Sequence, residues 1–201
     1  MSNTSTKTRT LVEISMLGAI ATVLMLFEFP LPFIAPPFYE LDFSEVPVLV
    51  GAFALGPMAG ATIELIKILI NLLINGTATA FVGEIGNYLL GCSFVIPAAL
   101  IYKKHKSKKY AIIAMITGTI TLTIFGGLLN AYVLLPTYAA AYGMPLDAII
   151  SLGSAINPNI INVNTFVILA VTPFNLIKGI LVSAITLLIY KHISPILKGN
   201  R

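Results

Sequence analysis

Asn175 and Lys178 are the residues whose types and spacing most suggest chemistry. They lie in Val171-Thr172-Pro173-Phe174-Asn175-Leu176-Ile177-Lys178-Gly179, inside an apolar run from Phe166 to Tyr190. A run of that length can cross a bilayer, which takes roughly 20 apolar residues. Three residues apart, the amide and the ammonium share one helical face. Pro173 suits the first turn of a helix, where a missing N–H costs nothing. A lysine deep in a bilayer costs about 2.5–3.5 kcal/mol on insertion scales. Either Lys178 lies near the helix start and snorkels to the interface, or the pair faces a cavity and holds a polar ligand.

Other polar residues interrupt apolar runs. Glu64 and Lys67 are again three apart and read as a self-neutralising pair on one face. Glu84, Asn87, Tyr88 and Gly91 recur at spacings of three and four, a polar stripe on an otherwise apolar helix. Glu84 alone reads as a helix-start carboxylate favoured by the dipole; the stripe continuing past it suggests a cavity. Asn130 stands near the end of a further run. An amide offers a donor and an acceptor side by side. Apolar walls with a few placed polar groups are the usual make-up of a small-molecule site. Amides and a lysine flanked by tyrosines and phenylalanines suit a flat, polar heterocycle.

Catalytic patterns are missing from the sequence. It has no Walker A loop, no His-Glu-x-x-His and no Gly-x-Ser-x-Gly. His105 and His192 lie in basic segments, and Cys92, the single cysteine, lies in an apolar one. A membrane enzyme needs a nucleophile, a metal or paired acids at one depth. Glu64 and Glu84 are the only candidate pair and are expected at different depths. No catalytic residue, metal site or catalytic cofactor is therefore expected.

The elements that must position these residues follow from composition. The 201 residues are 57% hydrophobic and 10% charged, against about 25% charged in soluble domains. The chain reads as an all-α integral membrane protein forming one domain over residues 1–201. Its net charge of +4 sits in short loops between apolar runs and is no nucleic-acid signal. Spans are expected at Leu11–Phe29, Val46–Gly56, Met58–Leu73, Glu84–Tyr102, Tyr110–Leu135 and Phe166–Tyr190. The second is short, and Gly56-Pro57 separates it from the third. Between the first two, a loop with Pro30, Pro32, Pro36 and Pro37 is too apolar for a solvated loop and should fold back over the bundle. Pro136–Asn164 reads as an outer loop holding a short helix at Pro145–Ser154. Lys7 and Arg9, the Lys103–Lys109 loop and the Lys191–Arg201 tail then fall on one side. Six transmembrane helices with both termini cytoplasmic satisfy the positive-inside rule. Ser15, Gly18, Ala19 and Thr22 form small-xxx-small pairs on the first span, either a partner surface or internal packing.

Three groups of residues give the chain a resemblance. They are Leu41-Asp42-Phe43-Ser44-Glu45-Val46-Pro47 with Gly56-Pro57-Met58-Ala59-Gly60, Asn130-Ala131-Tyr132 with Pro136, and Pro173 to Gly179. With these the chain resembles the substrate-binding membrane subunits of energy-coupling-factor vitamin transporters, and among them the riboflavin-specific ones. The likeness covers nearly the whole chain. It implies riboflavin bound in an outward-facing pocket and uptake driven by a separate membrane coupling protein with two ATPase subunits. It further implies that Asn130, Asn175 and Lys178 hold the flavin head group; Glu84 and Asn87 join the candidate binding residues on the strength of their stripe. Phe38, Tyr39, Glu40 and Leu41 would close over the ligand. Small residues at Ser15, Gly18, Ala19 and Thr22 would dock the partner, although Ser15 stands where the family often has alanine. A subunit for another vitamin, a self-sufficient secondary transporter and a membrane-embedded lipid enzyme are the alternatives.

Overall fold

A computed structural model describes residues 2–77 and 79–198. Helices dominate: α1 Ser2–Met25, α2 Glu45–Leu55, α3 Pro57–Asn75, α4 Val82–Lys104, α5 Lys108–Leu129, α6 Leu135–Ala141, α7 Leu146–Ser154, α8 Val163–Phe166 and α9 Thr172–Lys198. Among the described residues five helices are long and apolar enough to cross a membrane: Lys7–Met25, Pro57–Asn75, Val82–Lys104, Lys108–Ala141 and Val163–Tyr190. The helix α2 is apolar but shorter. Arg201 of the expected basic tail lies outside the described residues, as do the side chains of Lys191 and Lys198.

The helix α2 is the hub. Residues Glu45 to Phe53 are all buried, the mark of a helix covered on every side. It packs against α1, α3, α4 and α9. Its eleven residues rise about 17 Å, whereas the nineteen of α3 rise about 28 Å. The two are joined at Gly56, whose φ of 109° belongs to the region that favours glycine. Starting from that common turn, α2 stops about 12 Å short of the far end of α3. The space beyond its first residue is where a cavity can exist.

Two apolar clusters flank that space. At the basic-loop end Val48, Leu49 and Phe53 of α2 meet Ile63, Phe94, Val95, Met115 and Val182. Phe53 stacks on Tyr102 at 4.4 Å, and Tyr190 meets both rings edge-on at 5.3 Å. At the other end the proline-rich loop folds back as expected: Ala35 and Leu41 are buried with Leu135, Ile150, Ile160, Phe166 and Phe174. The loop is closed by a small antiparallel ribbon, β1 Phe29–Pro30 with β2 Glu40–Leu41. This ribbon is the one addition to the all-α expectation among the described residues.

Two expected boundaries move. The fifth span does not end at Leu135; it runs on through Pro136 to Ala141, so the loop after it is shorter than the sequence implied. The last span starts at Val163, three residues before the expected Phe166, and Pro173 lies inside it and not in its first turn. The cause is the same in both. A π-helical turn, Asn130–Leu134 or Val167–Val171, ends two residues before each proline. A proline inside an α-helix clashes with the carbonyl four residues back. The wider π turn displaces that carbonyl, so the helix continues. The expected short helix is present as α7, Leu146–Ser154.

The α4–α5 packing is tight enough to test. A Cβ on Gly118 would lie 2.7 Å from Phe94 Cδ2 and 2.8 Å from the Phe94 carbonyl oxygen. The backbone cannot give way as a side-chain tip could. Gly118→Val is expected to cost about 1–3 kcal/mol, seen as earlier thermal unfolding in detergent.

Candidate functional site

A cavity of about 300 Å³ opens beyond the start of α2. The proline-rich loop, α3, α4, the first π turn and α9 each contribute to its wall. Asn130, Asn175, Lys178, Glu84, Asn87, Phe38, Tyr39 and Glu40 all line it. Leu41 does not: it is 1% exposed and packed with the loop-end core. Alternation along β2 turns its side chain away from that of Glu40, so it anchors the loop instead of covering a ligand. Tyr88 of the expected stripe is likewise not a lining residue, whereas Gly91 is.

The π turns carry the central polar groups. Asn130 opens the first and Asn175 follows the second by one helical turn. Asn130 Nδ2 donates to the Gly126 carbonyl at 2.8 Å, and its Oδ1 accepts from the Tyr39 hydroxyl at 2.6 Å. Burial pushes the Tyr39 phenol upward, so it stays a donor. Asn175 is buried and its Nδ2 has no partner. Gly126 lets this amide approach α5, since a Cβ there would lie 2.5 Å from Nδ2.

Lys178 is placed by charge. Its Nζ donates to Asp42 Oδ2 at 2.9 Å, and Asp42 Oδ1 accepts from the Ser44 backbone N–H at 2.7 Å. Burial pushes the Asp42 carboxyl up, but the ammonium groups of Lys178 and Lys67 prevail and hold it down at about 2. The ion pair ties the loop to α9. Snorkelling therefore does not describe Lys178, whose side chain is 15% exposed.

Glu64 and Lys67 pair as the sequence suggests, at 2.7 Å. Glu45 at the start of α2 joins them, 2.8 Å from Lys67 Nζ. The Glu64 carboxylate abuts Gly91. Gly91 lies seven residues beyond Glu84, about 10 Å along α4, so the two carboxylates do not face each other. Glu84 is held locally, its Oε2 accepting from the Thr79 hydroxyl at 2.8 Å. Among the described residues no His, Cys, Asp and Glu group suits a metal ion.

Sequence reasoning passed over Glu28, Asp42, Glu45 and Asn71, which also line the cavity. For Asn71 a signal was present: Glu64, Lys67 and Asn71 continue one stripe at spacings of three and four. The others sit in or beside the irregular loop, where no period marks the inward face.

The Glu28 carboxyl is pushed up to about 7, by burial first and then by Glu40 and Asp42. Its ordinary value is 4.5, so the folded protein holds a proton that the unfolded chain releases earlier. The stability contributed by Glu28 is thus present at low pH and lost between about 4.5 and 7. Only the carboxyl is partly screened from water and the residue as a whole is exposed, so the effect is expected to be small. Glu28→Gln should flatten the change in unfolding temperature between acidic and neutral pH.

The small residues of α1 divide between two faces. Gly18 and Thr22 are buried. A Cβ on Gly18 would lie 2.6 Å from Ile66 Cγ2, and the Thr22 hydroxyl donates to the Gly18 carbonyl at 2.9 Å. Both pack inward on α3, because a one-residue step turns the helix about 100° away from Ala19. They are not available as a docking surface. Ser15 and Ala19 are exposed.

An apolar helical bundle around a cavity lined by amides, carboxylates and a lysine has the make-up of a small-molecule site in a membrane protein. The comparisons with known proteins give the family. The model of the substrate-specific component of ECF transporters matches residues 9–190, and the chain belongs to that family. It is thus a multi-pass cell-membrane transport component, not an enzyme. It is 40% identical over 188 residues to the riboflavin transporter RibU of Staphylococcus aureus (strain TCH60), covering 94% of this chain and 92% of that one. To the riboflavin transporter FmnP of Bacillus subtilis (strain 168) it is 33% identical, covering 97% of each. A solved structure described as the S component of a bacterial ECF transporter superposes with a TM-score of 0.73. It has 39% identity and covers 96% of this chain and 99% of its own.

Proposed function

We propose that this chain binds riboflavin in the cavity and mediates its uptake with a transmembrane coupling protein and two ATPase subunits. The observation that carries this reading is that Asn130, Asn175 and Lys178, from two distant stretches of the chain, all line one cavity. Their donors and acceptors match the alternating carbonyl and N–H edge of a flavin. The volume lies at the small end of the range for ligand sites, and the full-length relatives named above are riboflavin transporters. Glu84 and Asn87 line the same cavity from α4. Phe38, Tyr39 and Glu40 cover the ligand, with Leu41 as their anchor.

The membrane orientation follows from charge. Lys103, Lys104, Lys106, Lys108 and Lys109 lie at the end of the bundle away from the cavity. The positive-inside rule puts that end in the cytoplasm, with both termini and with the cavity open to the outside. Six crossings result if α2 is counted as one. The test is direct: the purified protein should carry a flavin absorption spectrum, and stripped protein should titrate with riboflavin by fluorescence quenching. A colourless protein that leaves riboflavin fluorescence unchanged would refute the assignment.

Docking of the coupling protein falls to Ser15 and Ala19, the outward part of the α1 strip. Helices that meet through small residues cannot do so across an indole. Ala19→Trp is expected to leave riboflavin affinity unchanged and to abolish ATP-dependent uptake in cells supplying the coupling proteins. Normal uptake by an assembled complex would place the docking surface elsewhere.

A further inference from the structure

A second cavity, of about 270 Å³, lies beside the first. Phe38, Thr79 and Tyr138 line both, so the two meet at these residues. Tyr142, Met144, Ile149 and Leu152 complete the second one. Its described wall carries three aromatic rings and no charged group, whereas carboxylates and Lys178 line the first. The Tyr138 and Tyr142 rings lie 6.2 Å apart and only 18° from parallel. Local structure places the remaining liners. The helix α6 is closed by Gly143, whose φ is 62°. Its N–H donates to the Ala140 carbonyl at 3.2 Å, and the Met144 N–H donates to the Ala139 carbonyl at 2.9 Å. That pair of bonds turns the chain back at the helix end and fixes Met144 there. Ile149 and Leu152, three apart on α7, share one face. Phe38 stands at the junction of the two cavities. Its ring is 4.8 Å from that of Tyr39, and Tyr39 is bonded to Asn130 in the first cavity.

We propose that the second cavity is an antechamber, in which the flavin ring stacks before it passes Phe38 into the inner site. The proposal rests on the flavin reading above. Continuity argues for this occupant: a ligand leaving the inner cavity past Phe38, Thr79 and Tyr138 arrives in the second one. Chemistry argues for it too. Near-parallel aromatic rings offer a flat wall to a flat ring, and Met144 adds a polarizable thioether. Such a wall holds the ring by its faces and leaves its polar edge in water. The amides and the lysine of the inner cavity then take over the edge. Dehydration of the ligand is thus divided into two steps, faces first and edge second, and neither step strips the whole ring at once.

Leu152→Trp and Met144→Trp each fill the second cavity from positions that do not line the first. Leu152 is 46% exposed and Met144 41%, so both positions have room for an indole. Stopped-flow quenching of riboflavin fluorescence reads the effect. Association should slow on the order of tenfold, within the one to three decades over which such rates vary among variants of one site. Dissociation should slow in proportion, with equilibrium affinity unchanged, because an obstruction on the path raises the barrier in both directions. Tyr142→Ala, which removes one stacking ring, should also slow association, and Tyr142→Phe, which keeps it, should not. Wild-type rates in both filled variants would overturn the proposal and leave the cavity to a lipid chain. A loss of affinity carried by faster dissociation alone would overturn it as well, since the second cavity would then be part of the wall around the bound ligand. Failure of riboflavin to bind the wild type would instead sink the flavin reading itself.

Discussion

Lys178→Ala is expected to weaken riboflavin binding by about a hundredfold or more, the largest effect of any single change in the cavity. Two losses combine. A hydrogen bond from a charged donor to a ligand is worth about 1.5–3 kcal/mol, roughly ten- to a hundredfold. The second loss falls on Asp42, held at about 2 and therefore ionised at neutral pH. Without its ammonium partner at 2.9 Å this carboxylate is buried and uncompensated, a defect that costs about 3–5 kcal/mol in fully buried pairs. The loop bearing Phe38, Tyr39 and Glu40 then loses its tie to α9. Asp42→Asn combined with Lys178→Ala should restore thermal stability without restoring affinity. Titration of the detergent-solubilised variants reads both effects. A single mutant that binds as the wild type does would remove Lys178 from the site.

Lys67→Met is expected to damage the fold itself. Lys67 is 2% exposed, and its partners Glu45 and Glu64 are 6% and 0% exposed at their side chains. Removing the ammonium leaves two neighbouring carboxylates in an apolar interior. Breaking a buried pair in this way costs about 3–5 kcal/mol, a large part of the roughly 5–15 kcal/mol that holds a domain together. Poor recovery from membranes and a much lower unfolding temperature should follow. The triple variant Lys67→Met, Glu45→Gln, Glu64→Gln should regain much of the loss, because no charge is then left unpaired. If the single variant melts at the wild-type temperature, the triad does not hold α2 to α3.

Much of this arrangement was legible in the sequence. Helical period put Asn175 with Lys178, and Glu84 with Asn87 and Gly91. The Gly56-Pro57 turn divided α2 from α3, and the apolar character of the proline-rich loop showed that it folds inward. Contacts between distant segments were not legible. Asp42 and Lys178 are 136 residues apart, and nothing local in either stretch names the other. Glu45 reads as an ordinary first-turn acid until α2 is seen to begin beside Lys67. The π turns were hidden too, because a one-residue widening leaves the apolar pattern almost intact while carrying Pro136 and Pro173 through the helix. The α1 strip failed for a related reason. Spacings of four mark a face, but Ser15 with Ala19 and Gly18 with Thr22 mark two faces, and composition does not say which one meets α3.

The shortness of α2 has a bearing on biosynthesis. Eleven residues reach only about half of a hydrocarbon layer roughly 30 Å thick. A segment of that length is too short to leave the translocon as a span by itself. With α3 it forms a hairpin turned at Gly56, and insertion of the pair as a unit is the expected route. During that passage Glu64 and Lys67 travel together, three residues apart, each offsetting the charge of the other. Glu45 reaches them only when the hairpin closes. On that route the lysine would enter with the carboxylate of its own helix and meet the second, from α2, once the hairpin has closed.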